Sequence, residues 1–247
     1  MIEFRGIRKS FGPKLVLDGV DLTIQKGEVF FIIGASGAGK SVMIKHLIGL
    51  LKPDEGTIVV DGRDVSSLDG AALYEVRKLC AMVFQHSTLF DSMTCVDNVA
   101  LPLRKHRGLS RAEARAEALR RLDAVHMAPF AERYPPELGD GMRKRVAIAR
   151  ALTVDPRYVL FDEPTTSLDP VSARRVDKLI RELSDTLGVT SIVVSHDLTS
   201  IFSIADRVAF LYKGNFRLVG TPDEFRASED PVVRQFIGGV AEGPMEV

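Results

Sequence analysis

The first third of the chain alternates short apolar runs with turn residues. Residues 2 to 10, 20 to 24, 29 to 33 and 57 to 60 read as strands, separated by FGP at 11–13, QKG at 25–27 and KPDEG at 52–56. Residues 40 to 50 instead place their apolar side chains at helical spacing. The middle of the chain, from about Leu101 to Leu152, is helical in pattern and charged. Within it SRAE at 110–113 has the form of a capping box, and Glu117 stands four residues before Arg121, the favourable orientation for a helical pair. That charge pattern reads as a solvated helix face. Alternation returns in the last third: a strand at 158–161, a helix at 171–187, a strand at 191–194, a helix at 198–205 and a strand-like run at 207–211. Strands alternating with helices predict a parallel sheet covered on both faces, with ligands at the carboxyl ends of the strands.

One strand-to-helix junction in this pattern carries a phosphate cradle. The buried run VFFII at 29–33 leads into GASGAGKS at 34–41, which fits G-x-x-x-x-G-K-[ST], and the helix opens immediately after it. The predicted phosphate-binding residues are Gly34, Ala35, Ser36, Gly37, Ala38, Gly39, Lys40, Ser41 and Val42. The glycines let backbone N–H groups turn inward, Lys40 supplies a point charge and Ser41 ligates Mg²⁺.

The run YVLFDEP at 158–164 is a buried strand ending in two carboxylates. An acidic pair there is costly unless a cation or a proton transfer uses it. Asp162 is suited to hold Mg²⁺ and Glu163 to deprotonate an attacking water. Without the phosphate loop the same string would read as a strand ending in a solvated acidic turn. Two further polar residues follow apolar strands: Gln85 after AMVF at 81–84, and His196 after SIVVS at 191–195. An amide ligates a metal or holds water, and an imidazole reaches a phosphate oxygen. A lone histidine at a strand end is more often a polar cap, and only its place on the same sheet edge raises it above that. Asp169 reads as the N-cap of the following helix with Pro170 in its first turn. Phe11 serves equally as a core residue or as a face on which a purine stacks.

Composition narrows the setting. With 247 residues and 45% apolar content, the chain suits one large α/β domain or a core carrying a subdomain. Its 33 basic and 33 acidic residues cancel, so no global field favours nucleic acid or an anionic membrane. Cys80 and Cys95 lie in apolar segments without metal or redox spacing and read as buried thiols of a reducing compartment. No signal segment and no run of about 18 apolar residues is evident, so a cytoplasmic protein is expected.

Taken in order, residues 34–41, Gln85, Asp162 with Glu163, SLD at 167–169 and His196 resemble the ATPase subunit of an ABC transporter, over essentially the whole chain. The resemblance implies an α/β, P-loop ATPase with a mixed, largely parallel sheet core, an antiparallel β subdomain and an inserted helical subdomain. The core would take residues 1–100 and 153–227, the helical subdomain 101–152 and a C-terminal tail 228–247. It also implies ATP and Mg²⁺ as cofactors, with Ser41, Gln85 and Asp162 at the metal. By position Phe11 becomes the adenine-stacking aromatic, Gln85 the Q-loop glutamine, Glu163 the catalytic base assisted by Lys40, Asp169 the D-loop aspartate and His196 the switch histidine. In that family two copies pair head to tail, each ATP lying between one phosphate loop and the other copy's signature motif.

The signature departs from the family's LSGGQ. Here it reads LGDGM at 138–142, followed by Arg143, Lys144 and Arg145. Met142 is usual in the branch named below, but Gly139 lacks the hydroxyl and Asp140 adds a carboxylate beside Gly141. At ~4 Å from a phosphate that charge costs ~1 kcal/mol in water-like surroundings and ~4 kcal/mol at an effective dielectric near 20. Either Asp140 points outward or caps the helix, leaving the N–H groups to meet phosphate, or this half-site is weakened. Three cations at a helix N-terminus oppose its dipole, which makes sense where anions lie nearby.

Residues 41–54, 84–93, 141–145 and 230–236 are similar to the Mla/Mce-type lipid transporters. That resemblance implies ATP-driven movement of phospholipid or another lipid, through a membrane-embedded permease and a lipid-binding envelope component, with this chain peripheral on the inner face of the membrane. Leu89, Phe90, Met93, Val96 and Val99 form a partly apolar stretch suited to receive a short helix from the permease, or to pack the core against the helical region. The glycine-rich end at 238–244 is unsuited to a helix and either frays or lies across the neighbouring subunit. An ABC ATPase acting on nucleic acid would call for tandem domains, coiled-coil insertions or basic surfaces, none of which is visible. An ATP-binding clamp with weak hydrolysis, or a transporter of another substrate, is the alternative. Stacking on Phe11 reads no base edge and leaves ATP and GTP equivalent.

Overall fold

A computed structural model describes residues 1–245. The chain opens with a hairpin of β1 (Ile2–Phe11) and β2 (Lys14–Ile24), antiparallel from Ile2 opposite Ile24 to Phe11 opposite Lys14. β2 thus begins at Lys14, six residues before the expected strand. Its early half runs as two exposed, two buried and two half-buried residues, and strict alternation begins only at Val20. After β3 (Val29–Ile33) and α1 (Lys40–Leu47), β4 (Glu55–Val60) and β5 (Arg63–Asp64) complete a four-stranded antiparallel sheet in the order β2-β1-β4-β5. A helix not anticipated from the sequence, α2 (Gly70–Leu79), leads to β6 (Cys80–Val83).

The charged middle of the chain forms α3 (Cys95–Arg107), α4 (Arg111–Ala124) and α5 (Asp140–Ala151). Helix begins at Cys95 rather than near Leu101 because the Thr94 hydroxyl accepts the Asp97 N–H at 3.2 Å and sets the first turn. The capping box at α4 is complete: Ser110 Oγ accepts the Glu113 N–H at 3.3 Å, and the Glu113 carboxylate accepts the Ser110 N–H at 2.9 Å. Arg121 donates to Glu117 at 2.8 Å and also to Asp155 at 2.6 Å, so this charged face is tied to the loop after α5 as well as solvated.

The remaining elements are β7 (Tyr158–Asp162), α6 (Pro170–Leu187), β8 (Thr190–Val194), α7 (Leu198–Ile204), β9 (Arg207–Tyr212), β10 (Asn215–Gly220), α8 (Pro222–Ala227) and α9 (Pro231–Gly238). They finish a six-stranded sheet in the order β10-β9-β3-β8-β7-β6, parallel throughout except for the β9-β10 hairpin, which the apolar pattern had not revealed. This is the expected α/β class, with mixed sheet core and separate antiparallel sheet. Both faces of β3 are buried: Val29, Phe31 and Ile33 pack with α3 to α6, while Phe30 and Ile32 pack with α1 and the antiparallel sheet. Strands covered twice read as unbroken apolar runs.

Cys80 and Cys95 are buried, and burial pushes their thiols up to about 12 and about 11. Among the described residues no helix is long and apolar enough to cross a membrane. α9 stops at Gly238, with Gly239 in the left-handed region at φ 60°. The described residues beyond it carry no helix, and Met245 donates its N–H to Gln235 Oε1 at 2.6 Å, folding the tail back on its own chain. The last two residues of the expected tail, 246 and 247, lie outside the described residues.

Candidate active site

β3, β7 and β8 run parallel with Ile32 opposite Val194 and Asp162 opposite Val194, so their carboxyl ends share one edge. The phosphate loop leaves β3 at that edge. Gly34 sits at φ 154°, where a Cβ would run into the Leu211 carbonyl oxygen, and Gly39 sits at φ 105°, where a Cβ would come 2.8 Å from Val16 Cγ1. Both positions exclude a side chain by space as well as by dihedral. Lys40 and Ser41 follow on the first turn of α1.

The polar side chains of this edge interlock. Lys40, 7% exposed, donates from Nζ to the carbonyl oxygens of Gly34 at 2.9 Å and Ala35 at 3.0 Å, and lies 3.9 Å from Glu163 Oε1. Burial lowers its pKa, and the charges of Glu163 and Asp162 pull it back. Ser41 Oγ donates to Asp162 Oδ1 at 2.7 Å. Glu163 has φ 50°, uncommon for a residue with a Cβ, and its N–H is held by the Val194 carbonyl at 2.9 Å. Its Oε2 takes the Thr166 hydroxyl at 3.0 Å and stands 2.9 Å from His196 Nδ1. Two carboxylates adjacent in sequence are therefore split: Asp162 faces Ser41, Glu163 faces His196 and Lys40.

Lys40, Ser41, Glu163 and His196 border a cavity of about 750 Å³, which Phe11, Val16, Gln85, Thr166 and Phe236 also line. Phe11 is half exposed at the end of β1, with Lys9 Nζ 5.5 Å from its ring centroid. Phe236 comes from α9, where its ring packs 4.7 Å from Phe210. The sequence offered a hint of Phe236 only as part of a similar segment, since α9 reaches the cavity from the far end of the chain. The donor set fits the expected ligands. A serine hydroxyl bonded to a carboxylate gives adjacent hard oxygens for Mg²⁺, which takes few protein ligands alongside phosphate oxygens. Correspondingly, no group of three or more His, Cys, Asp or Glu suited to a metal occurs among the described residues.

His196 is positioned from behind. Asp197 caps α7 by accepting the N–H groups of Thr199 at 2.9 Å and Ser200 at 3.3 Å, and its other oxygen takes Ser200 Oγ at 2.9 Å and pairs with Arg174. Arg174 also pairs with buried Asp177 at 2.7 Å, whose carboxylate stands 2.9 Å from the same Ser200 Oγ. Burial pushes Asp177 up to about 6 against Ser200 and Arg174, with the Asp197 charge adding to the rise. Nothing in the chain's motifs pointed to this cluster.

The signature residues lie elsewhere. Gly139, Asp140 and Gly141 line a separate cavity of about 280 Å³ with Asp169, Ser172 and Arg175. Gly139 is the N-cap of α5 and Asp140 its first residue, exposed and paired with Arg143. A carboxylate in the first turn favours the helix. Gly139 has φ −69° in the cap, and a Cβ there meets nothing within 4 Å, whereas one at Gly141 would come 2.9 Å from Ser172 Cβ. Asp169 caps α6 through the N–H groups of Val171 and Ser172, both at 3.0 Å, and the Ser172 hydroxyl together with these N–H groups lowers its pKa. The three cations after the signature all find partners within the chain: Arg143 on Asp140, Lys144 on the carbonyls of Phe84 and Gln85, and Arg145 on those of Val125 and His126. Of the three, Arg143 meets a carboxylate of its own helix, whereas Lys144 and Arg145 bond backbone carbonyls.

Residues 17–166 match the model of the ABC transporter family, a span that holds the phosphate loop, Gln85, the signature and the Asp162–Glu163 pair. The chain belongs to the ABC transporter family of ATP-binding proteins. Asp169 and His196 lie beyond the matched span and Phe11 before it, and the fold brings Phe11 and His196 to the family's loop. The intermembrane phospholipid transport system ATP-binding protein MlaF of Escherichia coli (strain K12) is 37% identical over 99% of this chain and 91% of its own. The probable ribonucleotide transport ATP-binding protein mkl of Mycobacterium tuberculosis (strain ATCC 25618 / H37Rv) is 38% identical over 99% of this chain and 68% of its own. Among solved structures, the dimeric post-hydrolysis state of the ATP-binding cassette MJ0796 bound to ADP and Pi superposes with a TM-score of 0.80 at 33% identity, over 90% of this chain and 99% of that one.

Proposed function

We propose that two copies of this chain pair head to tail, hydrolyse ATP at two composite sites, and drive phospholipid movement through a membrane-embedded permease and a lipid-binding envelope component. The observation that carries the hydrolytic part is the split of Asp162 and Glu163 between Ser41 and His196 at the phosphate loop. In this reading Phe11 stacks on the base, and the loop N–H groups with Lys40 hold the phosphates. Ser41, Asp162 and Gln85 would hold Mg²⁺, which would supply charge neutralisation at the phosphate oxygens. Glu163 accepts a proton from the water that attacks the γ-phosphorus, and His196 beside it faces a γ-phosphate oxygen. Gly139, Asp140, Gly141 and Asp169 of the second copy close the site, with Asp140 quieted by Arg143.

The lipid assignment is supported by similarity to MlaF over nearly the full length of both chains. The mycobacterial relative, equally similar, favours a second reading in which a ribonucleotide is carried. To separate them, the intact complex is recovered from native membranes, its subunits and bound lipids are identified, and ATPase activity is measured with added phospholipid or ribonucleotide. Stimulation by lipid with phospholipid copurifying is expected. A complex that responds to a polar substrate and ignores lipid would overturn the lipid assignment and leave the ATPase standing.

A further inference from the structure

Helix α5 carries a charged side chain that the hydrolytic scheme leaves unused. Lys144 stands one turn beyond Asp140 and is 2% exposed. Its ammonium donates to the carbonyl oxygens of Phe84 at 2.9 Å and Gln85 at 2.6 Å, where the chain leaves β6. Farther along the same helix, Arg150 donates to the carbonyl oxygens of Thr88 at 2.9 Å and Ser87 at 3.3 Å, and to Thr88 Oγ1 at 3.0 Å. Two cations of α5 therefore hold the backbone of residues 84–88, in which Thr88 adopts φ 49°.

Burying an ammonium is unfavourable unless the geometry it enforces matters, and two carbonyls alone are satisfied more cheaply by water or an amide. Burial lowers the pKa of Lys144 to about 8, with Asp140 and Asp162 holding it up. The charge thus stands between the signature turn, the carboxylate beside Ser41 and the loop bearing Gln85. Gln85 borders the phosphate-loop cavity and also a second cavity of about 310 Å³ shared with Asp140, Lys144 and Ser167.

We infer that Lys144 is a positioning residue that fastens Gln85 to the signature helix, so that closure of residues 138–142 on a second copy's nucleotide is felt by the glutamine of this copy's own site. Within one chain the signature turn and Gln85 belong to different composite sites. A bond between them links those sites without any contact between the two nucleotides. The inference rests on the head-to-tail ATPase reading for its kinetic consequence, while the fastening itself stands on the two carbonyl bonds.

The test uses the full chain with Lys144→Met, Lys144→Gln and Lys144→Arg, read by Mg-ATP kinetics and by hydrogen exchange of the peptide spanning 84–90. Loss of the cation is expected to lower kcat about tenfold or more with KM within about twofold, because misplacing a positioned group costs turnover rather than uniform binding. The Mg²⁺ concentration for half-activation should rise several-fold, and the 84–90 peptide should exchange about tenfold faster while the phosphate-loop peptide is unchanged. Lys144→Arg, which keeps charge and donors, should restore kcat to within about threefold and the exchange rate with it. The inference is overturned if Lys144→Met keeps kcat within about twofold and 84–90 keeps its exchange rate. It is equally overturned if Met and Gln variants both fail to fold, or lose activity only in step with melting temperature, since the ammonium then serves the core. Wild-type turnover no higher than that of Glu163→Gln would defeat the ATPase reading instead, and the exchange rates would still decide whether Lys144 holds the loop.

Discussion

The phosphate-loop edge and the signature turn belong to one proposed reaction, yet they are bonded in opposite ways. At the edge, Ser41 is spent on Asp162, Lys40 on two carbonyls and Glu163, and His196 on Glu163, with Arg174, Asp177 and Ser200 bracing the loop behind. At the turn, Gly139 has open space around it and Asp140 reaches only Arg143 on the same helix. An edge that presents the hydrolytic side chains of its own chain is stiffened by its own hydrogen bonds. A turn that completes another copy's site must keep its backbone donors unspent, and its side chains govern charge more than shape.

Glu163→Gln breaks that contrast hardest, because it alters the base and keeps its volume. Turnover should fall about 10² to 10⁴-fold, the range for losing a general base, while ATP still binds. Phosphate release and nucleotide binding check it side by side. Equal rates in variant and wild type would favour the clamp over the enzyme. Next in size is Ser41→Ala, which removes a hard oxygen and leaves Asp162 without its partner. Apparent Mg²⁺ affinity should drop about tenfold, equivalent to ~1.4 kcal/mol, and excess Mg²⁺ should recover part of the rate.

Restoring the serine and glycine of the family pattern, Gly139→Ser with Asp140→Gly, probes the open half. The added Cβ has room, and Asp140 is already paired at the surface, where such pairs are worth roughly 1 kcal/mol or less. ATPase activity should therefore rise, by no more than about fivefold. Unchanged turnover together with unchanged nucleotide-driven dimerisation would discard the idea that Asp140 weakens the site. The smallest effect is expected from Asp177→Asn in the brace behind His196. The native carboxyl titrates at about 6 and the unfolded one near 3.8, so between these values the folded chain binds a proton that the unfolded chain releases. Wild-type stability from this group falls as pH rises through 6. The asparagine variant, which cannot ionise, should melt about 2–4 °C higher than wild type at pH 7 and lose that advantage as pH drops through 6 toward 4. Parallel melting curves across that range would show that the burial of Asp177 costs nothing.

Much of the interlocked half was legible because its parts are contiguous strings. GASGAGKS after VFFII, and DEP after YVLF, state both the chemistry and the strand end that presents it. Gln85 and His196 were legible through the same rule, a polar residue following an apolar run. Asp162 and Glu163 could be read as a pair, but not their division between Ser41 and His196, which depends on the positive φ of Glu163 and the register of β7 against β8. The run Arg143, Lys144, Arg145 misled most. In sequence it is one basic patch. On a helix its members point about 100° apart and go to three different partners, one of them buried. Phe236 was hidden for another reason: α9 is some two hundred residues from the phosphate loop and meets it only because β9 lies beside β3 in the sheet, with β10 at the edge beyond it.

The amino-acid sequence alone determined the α/β class, the nucleotide chemistry and the departure at Gly139 and Asp140, because each follows from local spacing and local side-chain type. The tertiary structure decided which carboxylate faces which partner, what the three cations after the signature hold, and that the signature turn stands apart from the phosphate loop of its own chain. Those outcomes depend on strand register and on distances between residues far apart in the chain, which no local pattern encodes.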